Sequence, residues 1–537
     1  MPNSRFTYVK NILVPCFVFS SAAGMGTGLL IFLFKLTASV VIGLSNSVYD
    51  LVRARPTVLP VLVVGAALLG LAASVVLQKI SDCRGGGIPT AIAILRGLVP
   101  FHWLKSIVFV FGSAMLTYLC GVPLGNEGPS VQMGTAVGRG IVRKYPAWDR
   151  YIMTGGSCAG FAAATGAPLT GILFAFEEAH RRFSPMLFLV ASMAALTASA
   201  VMQGLCSLVD MEYTLFGFEI AEILPLRYLW APLVVGLIVG LCAAVFTKTY
   251  RFIRKFLKHT LRGIPFTAKI VVIFVIVSMI GFFSDKCVGS GHGLVDELMK
   301  GHGAWYLLIV YFCIRALLLL LANNSDVTGG LFVPTLAFGA ILGALCGKLL
   351  IAAGLLPAEY YSIMIIMGIA SFLSASSRTP LMAVAFSIEA LGGLANIIPI
   401  SIAITIAFLV IETLGIEAFT DTVIESKLEA AHAGKTAQIV DLHVTVNPGS
   451  FVVGKEIRDI LWPPTCVVLS VHKSPAAHAA DPTLSAGDIL HIHYQTYDPA
   501  ETLCSLEALI GHQQDDTYPR IRIARENHQV PEVYSDS

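Results

Sequence analysis

Long stretches without a single charged residue constrain this chain more than any other feature: 58–78, 106–124, 151–176, 228–247 and 331–347. A helix needs about 20 mainly apolar residues to cross a bilayer, and several of these segments reach or approach that length. Hydrophobic residues make up 55% of the chain and charged residues only 13%, against roughly a quarter charged in a soluble domain. Most of the chain therefore belongs in lipid. The net charge of +2 gives no reason to expect a nucleic-acid partner. Eleven cysteines are scattered singly through apolar segments without a CxxC pair, the pattern of buried, reduced thiols and not of a disulfide framework.

Charge density rises sharply near Glu425. We read residues 1–10 as a polar lead and 11–431 as the membrane domain, with related halves of about 11–205 and 227–431. A linker follows over 432–437, then a small soluble α/β domain over 438–512 and a disordered polar tail over 513–537. In the soluble part, 439–444 and 466–472 are β-branched runs, and Ile489–Tyr494 alternates apolar residues with histidine, as a half-buried strand does. Ser21-Ala22-Ala23 resembles a leader cleavage site. The apolar pattern runs past it to about Leu44, broken only by Lys35, which favours a long first membrane helix. Lys248, Arg251, Arg254, Lys255, Lys258 and Arg262 cluster between two apolar segments and mark that loop as cytoplasmic. The N-terminus and the soluble domain are expected on the same side of a cell (inner) membrane.

Many apolar segments are too short or too glycine-broken to span. Pro and Gly recur at their starts: Gly87-Ile88-Pro89, Gly128-Pro129, Pro168, Pro334 and Pro380. Proline suits the first turn of a helix, so these read as helices that begin inside the membrane. Such ends are tolerated only where they face protein or a cavity.

Two motifs occur twice, in the same order. Pro129 to Gly138 and Pro334 to Gly343 share PxxxxGxxxG; Pro168 to Glu177 and Pro380 to Glu389 share PLxxxxFxxE. Each match alone is weak in low-complexity apolar sequence. Together they imply a duplicated chain, a known design of transporters that place their sites where the repeats meet. Gly134, Gly138, Gly339 and Gly343 are expected to serve close helix packing.

A helix N-terminus presents unpaired N–H groups and a partial positive charge. Several such ends converging in the membrane attract an anion without a full cation, which would hold it too tightly to release. Neither repeated motif contains Lys or Arg. The exception to this neutrality is Glu127, a carboxylate at one helix start. Ionised, it occupies the place of the anion; protonated, it can swing away. That makes it both gate and proton carrier, with helix capping as the plain alternative.

Gly85-Gly86-Gly87-Ile88-Pro89, Gly125-Asn126-Glu127-Gly128-Pro129 and Gly330-Leu331-Phe332-Val333-Pro334 resemble the anion-path motifs GSGIP, GREGP and GxFxP of the CLC chloride channels and chloride/proton antiporters. The segment from Gly160 to Glu178 is similar to the family's next stretch. The resemblance covers about 11–431. It implies an all-α polytopic membrane protein, an inverted repeat with broken or re-entrant helices (about 18 per subunit), working as a homodimer among membrane lipid. It implies proton-coupled exchange of chloride or a related small anion, with a passive channel or fluoride/proton exchange as alternatives. Under it, Glu127 is the external gate and Glu178 the internal proton-transfer residue. Anion-binding positions are Gly86, Gly87, Ile88, Gly128, Leu331, Phe332 and Phe419.

This chain departs from the family pattern at three places. Gly86 replaces the filter serine, Phe419 aligns with the filter tyrosine, and Asn126 replaces the arginine of GREGP. Two hydroxyl donors and one positive charge are thus missing, which leaves the choice of anion and the strictness of proton coupling open. Val446-Asn447-Pro448-Gly449-Ser450, Gly454-Lys455 and Ala486-Gly487-Asp488-Ile489-Leu490 resemble a TrkA-C (RCK-C) domain, which implies a prokaryotic source and a possible small-molecule ligand. Glu177-x-x-His180 and Glu429-x-x-His432 fit the spacing of di-iron sites, but no matching pair of glutamates accompanies them. With no HExxH, GxSxG or P-loop, neither an enzyme nor a metal or cofactor is expected.

Overall fold

The computed structural model describes residues 9–80, 84–99, 101–218, 222–260, 263–432, 436–474, 482–512 and 520–523. The first eight helices are α1 (Val14–Ala54), α2 (Leu59–Lys79), α3 (Gly87–Leu95), α4 (Trp103–Leu119), α5 (Glu127–Ile141), α6 (Asp149–Thr165), α7 (Pro168–Phe174) and α8 (Pro185–Leu208). A second set follows: α9 (Trp230–Thr260), α10 (Phe266–Phe283), α11 (His292–Met299), α12 (Trp305–Asn324), α13 (Phe332–Ala352), α14 (Tyr361–Ser377), α15 (Pro380–Glu389), α16 (Ile397–Thr413) and α17 (Phe419–Ala431). Among the described residues, 9 helices are long and apolar enough to cross a membrane. Others, such as the 9-residue α3 and the 7-residue α7, stop well short of it.

α1 runs on past Leu44 to Ala54, 41 residues in all. At about 1.5 Å per residue that is roughly twice the hydrocarbon thickness, so the helix must tilt or project. The two basic residues that interrupt it are spent locally. Lys35 donates from Nζ to the carbonyls of Glu212 (2.9 Å) and Tyr213 (3.2 Å), and Arg53 donates to those of Gly281 (2.8 Å) and Phe282 (3.3 Å). Arg315, inside α12 and fully buried, likewise donates to the carbonyls of Lys286 (3.0 Å), Val288 (3.1 Å) and Gly289 (2.8 Å).

The repeat is built on glycine. A Cβ on Gly134 would lie 2.1 Å from the Gly156 carbonyl oxygen, and one on Gly138 would lie 2.3 Å from that of Ile152. In the second half the same contacts join Gly339 to Gly368 (2.5 Å) and Gly343 to Met364 (2.4 Å). Thus α5 lies backbone to backbone on α6, and α13 on α14, through the repeated GxxxG, as small residues allow.

After α17 the chain forms β1 (Gln438–Thr445), β2 (Val467–His472), β3 (Ile489–Thr496), α18 (Pro499–Ile510) and β4 (Arg520–Ile523). The sheet is antiparallel, in the order β2-β3-β1-β4. Val440, Leu442, Val444, Leu490, Ile492 and Tyr494 fill its buried face with Leu506 and Ile510 of α18. Strand β4 corrects the reading of 513–537 as disordered throughout: Arg520-Ile521-Arg522-Ile523 alternates as a strand does, over a run too short to stand out. The rest of that tail, residues 1–8 of the lead and 433–435 of the linker lie outside the described residues.

The sheet domain does not hang free. Residues 457–464 lie against the ends of α3, α6 and α8. The Tyr151 hydroxyl donates to the Asp459 carbonyl (2.8 Å) and accepts from the Leu461 N–H (2.9 Å). Arg150 reaches the Leu461 carbonyl (3.3 Å) and Arg182 that of Ile460 (2.8 Å). Phe451 packs edge-on to Trp148 at 5.3 Å, and Leu461 is counted into the membrane core.

Candidate anion path

Three helix starts meet in the middle of the molecule. Gly86 bridges to Gly329, and Gly125 to Gly330, as isolated strand-like pairs. Gly125 and Gly330 exchange both backbone hydrogen bonds, at 2.8 and 2.7 Å, and the Gly85 N–H donates to the Asp326 carbonyl at 2.9 Å. These bonds register the loops that lead into α3, α5 and α13. The approach is as close as backbone allows. A Cβ on Gly87 would sit 2.0 Å from the Gly128 carbonyl carbon, and one on Gly128 would sit 2.6 Å from the Gly330 Cα. Each helix carries proline at its third residue: Pro89, Pro129 and Pro334. The two residues before it therefore hold the first-turn N–H groups that no helix bond satisfies: Gly87 and Ile88, Glu127 and Gly128, Phe332 and Val333. All six residues are buried, as is Leu331 beside them.

Not every proline-started helix contributes. The Glu389 carboxylate accepts from the N–H groups of Leu169 (2.7 Å) and Thr170 (2.8 Å) and from the Thr170 hydroxyl (2.8 Å). The Glu177 carboxylate accepts from the N–H groups of Leu381 (3.0 Å) and Met382 (2.6 Å). The starts of α7 and α15 are thus closed by acid, and those of α3, α5 and α13 are not. The repeat motif PLxxxxFxxE ends in this capping glutamate in both halves. Sequence reasoning found the motif and missed its meaning, because the partner helix lies more than 200 residues away along the chain.

Glu127 is fully buried, and neither carboxylate oxygen makes a well-formed hydrogen bond. Oε2 lies 2.4 Å from where a Cβ on Gly125 would stand, so the side chain curls over the glycine bridge. The Tyr118 hydroxyl donates to the Gly125 carbonyl at 3.0 Å and pins that bridge from α4. Lys35 and His292 lie near enough for a positive charge on either to be felt at Glu127. A buried carboxylate with no well-formed hydrogen bond is costly.

Glu178 sits in a π-helical turn, Ala175–Ala179, that continues α7. Such turns redirect side chains within a helix. Here adjacent acids diverge: Glu177 goes to the start of α15, while Glu178 is 4% exposed in the interior. Arg96 donates to the carbonyls of Glu178 (3.1 Å) and Ala179 (3.0 Å), and His180 pairs with the Thr154 hydroxyl at 2.8 Å. Arg96, Arg150 and Arg182 all lie close enough to His180 for their charge to act on it.

Phe332 is clamped between Phe161 (5.0 Å) and Phe386 (5.3 Å), one ring from each half. Phe419 belongs to a second aromatic group, 4.4 Å from Tyr250 and 5.7 Å from Phe246. Its helix continues to Lys427, whose Nζ donates to the Arg84 carbonyl at 2.5 Å, beside Gly85 and Gly86. A Cβ on Gly86 would meet Leu331 Cδ1 at 3.1 Å, so a side chain added there would press on the leucine methyl.

Paired halves, glycine-packed broken helices and a buried ring of helix starts define an integral membrane transport protein. Residues 65–412 match the model of the voltage-gated chloride channel family, and the chain belongs to that family. Among solved structures it is similar to a slow cyanobacterial Cl−/H+ antiporter, at 22% identity over 77% of this chain and 98% of that one, with a TM-score of 0.70. It is also similar to a eukaryotic CLC transporter (20% identity, 77% and 74% coverage, TM-score 0.63). A third likeness is to a CLC-type fluoride/proton antiporter (20% identity, 76% and 98% coverage, TM-score 0.63). At these identities the likeness is one of fold.

Proposed function

We propose that the protein exchanges chloride or a related small anion for protons, with Glu127 as external gate and Glu178 as internal proton-transfer group. The observation that carries this reading is the fully buried Glu127 carboxylate, without a well-formed hydrogen bond, at the meeting point of three helix starts that no other acid among the described residues closes. The anion is held by the N–H groups of Gly87, Ile88, Gly128, Phe332 and neighbouring residues, with Gly86, Leu331 and Phe419 lining the path. When Glu127 takes up a proton it no longer competes for those donors, and the anion replaces it. The proton then passes toward Glu178 and the cytoplasm. The working unit is a homodimer in the cell membrane with both ends of the chain cytoplasmic, and the small sheet domain acts as a TrkA-C regulatory module in a prokaryotic protein.

Purified protein in liposomes, with an imposed anion gradient and external pH recorded, tests this. Chloride-driven uphill proton movement that Glu127→Gln abolishes is the expected result. Anion flux without proton movement would replace exchange by passive conduction. Running the same assay with fluoride favours that substrate if it alone drives protons, which the missing hydroxyls at Gly86 and Phe419 make a specific alternative.

A further inference from the structure

α9 is too long for the membrane it crosses. Its 31 residues span about 46 Å at 1.5 Å per residue, against a hydrocarbon core of about 30 Å. One stripe of the helix faces away from the protein along its whole length. It begins with Leu233, Leu237, Leu241 and Val245, 45–65% exposed. From there it changes character, running through Lys248, Phe252, Lys255, Phe256 and His259, all exposed. Phe252 and Phe256 are 73% and 58% exposed. The change falls about 27 Å from the helix start, where hydrocarbon gives way to headgroups. Aromatic rings and lysines alternating at that level suit the interfacial layer, where the rings lie among the glycerol groups and the amines reach phosphates.

Two arginines of this helix end are already engaged. Arg251 donates to the Thr422 hydroxyl (2.8 Å) and pairs with Glu417 (2.5 Å), while Arg254 donates to the Thr422 carbonyl (2.8 Å). Lys248 and Lys255 have no hydrogen-bond or ion-pair partner among the described residues. Two cations flank two exposed rings on a surface continuous with the lipid-facing stripe, and the chemistry that complements them is an anionic headgroup at the end of an acyl chain.

We infer that the overhang of α9 is a binding surface for anionic phospholipid, with Lys248 and Lys255 taking the phosphate and Phe252 and Phe256 the adjoining glycerol and acyl carbons. The opposite face of the same turns holds α17, through Arg251, Arg254 and the Tyr250–Phe419 contact. A lipid seated on α9 therefore also steadies the helix that begins at Phe419. That second consequence rests on the anion-path reading; the binding surface does not.

The full-length protein in neutral detergent, mixed with either phosphatidylglycerol or phosphatidylcholine, provides the test, with retained lipid counted by native mass spectrometry. Selective retention of phosphatidylglycerol is expected, weakened about fivefold per lysine removed in the K248Q/K255Q variant and restored in K248R/K255R. Equal retention of both lipids, or equal retention by the glutamine variant, would overturn the proposal. So would inorganic phosphate displacing the lipid as well as free phosphatidylglycerol does. Anion flux in vesicles with and without phosphatidylglycerol then reads the coupling separately: selective binding with unchanged flux would sink the link to Phe419 and leave the surface standing.

Discussion

Glu177 and Glu389 stand at the ends of equivalent short helices, one in each half of the chain, and each closes the start of the other's helix. The two carboxylates take up the first N–H groups of α15 and α7 respectively. This exchange is the clearest sign in the molecule that the halves were built as a pair. It also sorts the proline-started helices into those whose first N–H groups a carboxylate from the other half takes up and those whose first N–H groups neither glutamate reaches.

Replacing Glu389 by Ala is expected to lower stability by about 1–2 kcal/mol, the range for a lost N-terminal cap, and Glu177→Ala by a similar amount. Thermal unfolding in detergent measures both. Glutamine should recover part of the loss, since its carbonyl still accepts hydrogen bonds while the charge at the helix start is gone.

Gly128→Ala should fold poorly or transport nothing. A methyl there would meet the Gly330 Cα at 2.6 Å, and both partners are backbone, so the helix starts must separate. Flux at a small percentage of wild type, with an elution volume on gel filtration matching that of wild type, would show that spacing at this point governs conduction. Undiminished flux would remove the three-helix site from the mechanism.

Gly86→Ser should be accommodated. Gly86 has φ −67° and ψ 130°, a conformation open to any residue, and its Cβ would only press on a Leu331 methyl at 3.1 Å. The added hydroxyl is expected to tighten anion binding several-fold, about the worth of one hydrogen bond. Isothermal titration with chloride and with fluoride checks it for each anion.

Tyr151→Phe deletes one hydroxyl and two hydrogen bonds to the sheet domain. At about 1 kcal/mol each, docking should weaken by roughly 2 kcal/mol. Faster proteolysis in the 432–437 connection, or faster hydrogen exchange over 457–464, reports it.

Lys455 sets a pH dependence on the same contact. Burial lowers its ammonium to about 7, the Cys16 thiol only partly opposing this, and its Nζ donates to the Phe451 carbonyl at 2.6 Å over that ring. A base whose pKa is depressed in the folded state binds fewer protons there than when released. Docking therefore strengthens as pH rises from about 7 toward the ordinary lysine range, and is weakest below about 7. Lys455→Met should flatten a proteolysis profile taken from pH 6 to pH 9.

Membrane class, duplication and the glycines of the path were legible because each is written locally: uncharged runs, repeated GxxxG, and proline two residues after a helix start. The roles of Glu177 and Glu389 were not, since a cap is read from what it touches, and their partners are distant in sequence. Tyr118 escaped notice for the same reason; nothing in its neighbourhood announces a hydroxyl bound to Gly125. Strand β4 was lost in a polar tail because four alternating residues carry too little signal. Phe419 was found only by alignment, and the aromatic group around it, Phe246 and Tyr250, comes from another helix of the second half.

The contact of Gly87, Gly128 and Gly330 has a consequence for how such a protein can diversify. Where main chain touches main chain, the gauge of the passage is fixed by atoms common to every amino acid. No choice of side chain at those positions can widen or narrow it, because none fits. A lineage seeking a new ion must therefore leave the frame alone and redecorate the walls: the residue behind the glycine, the ring at the far side, the acid that comes and goes.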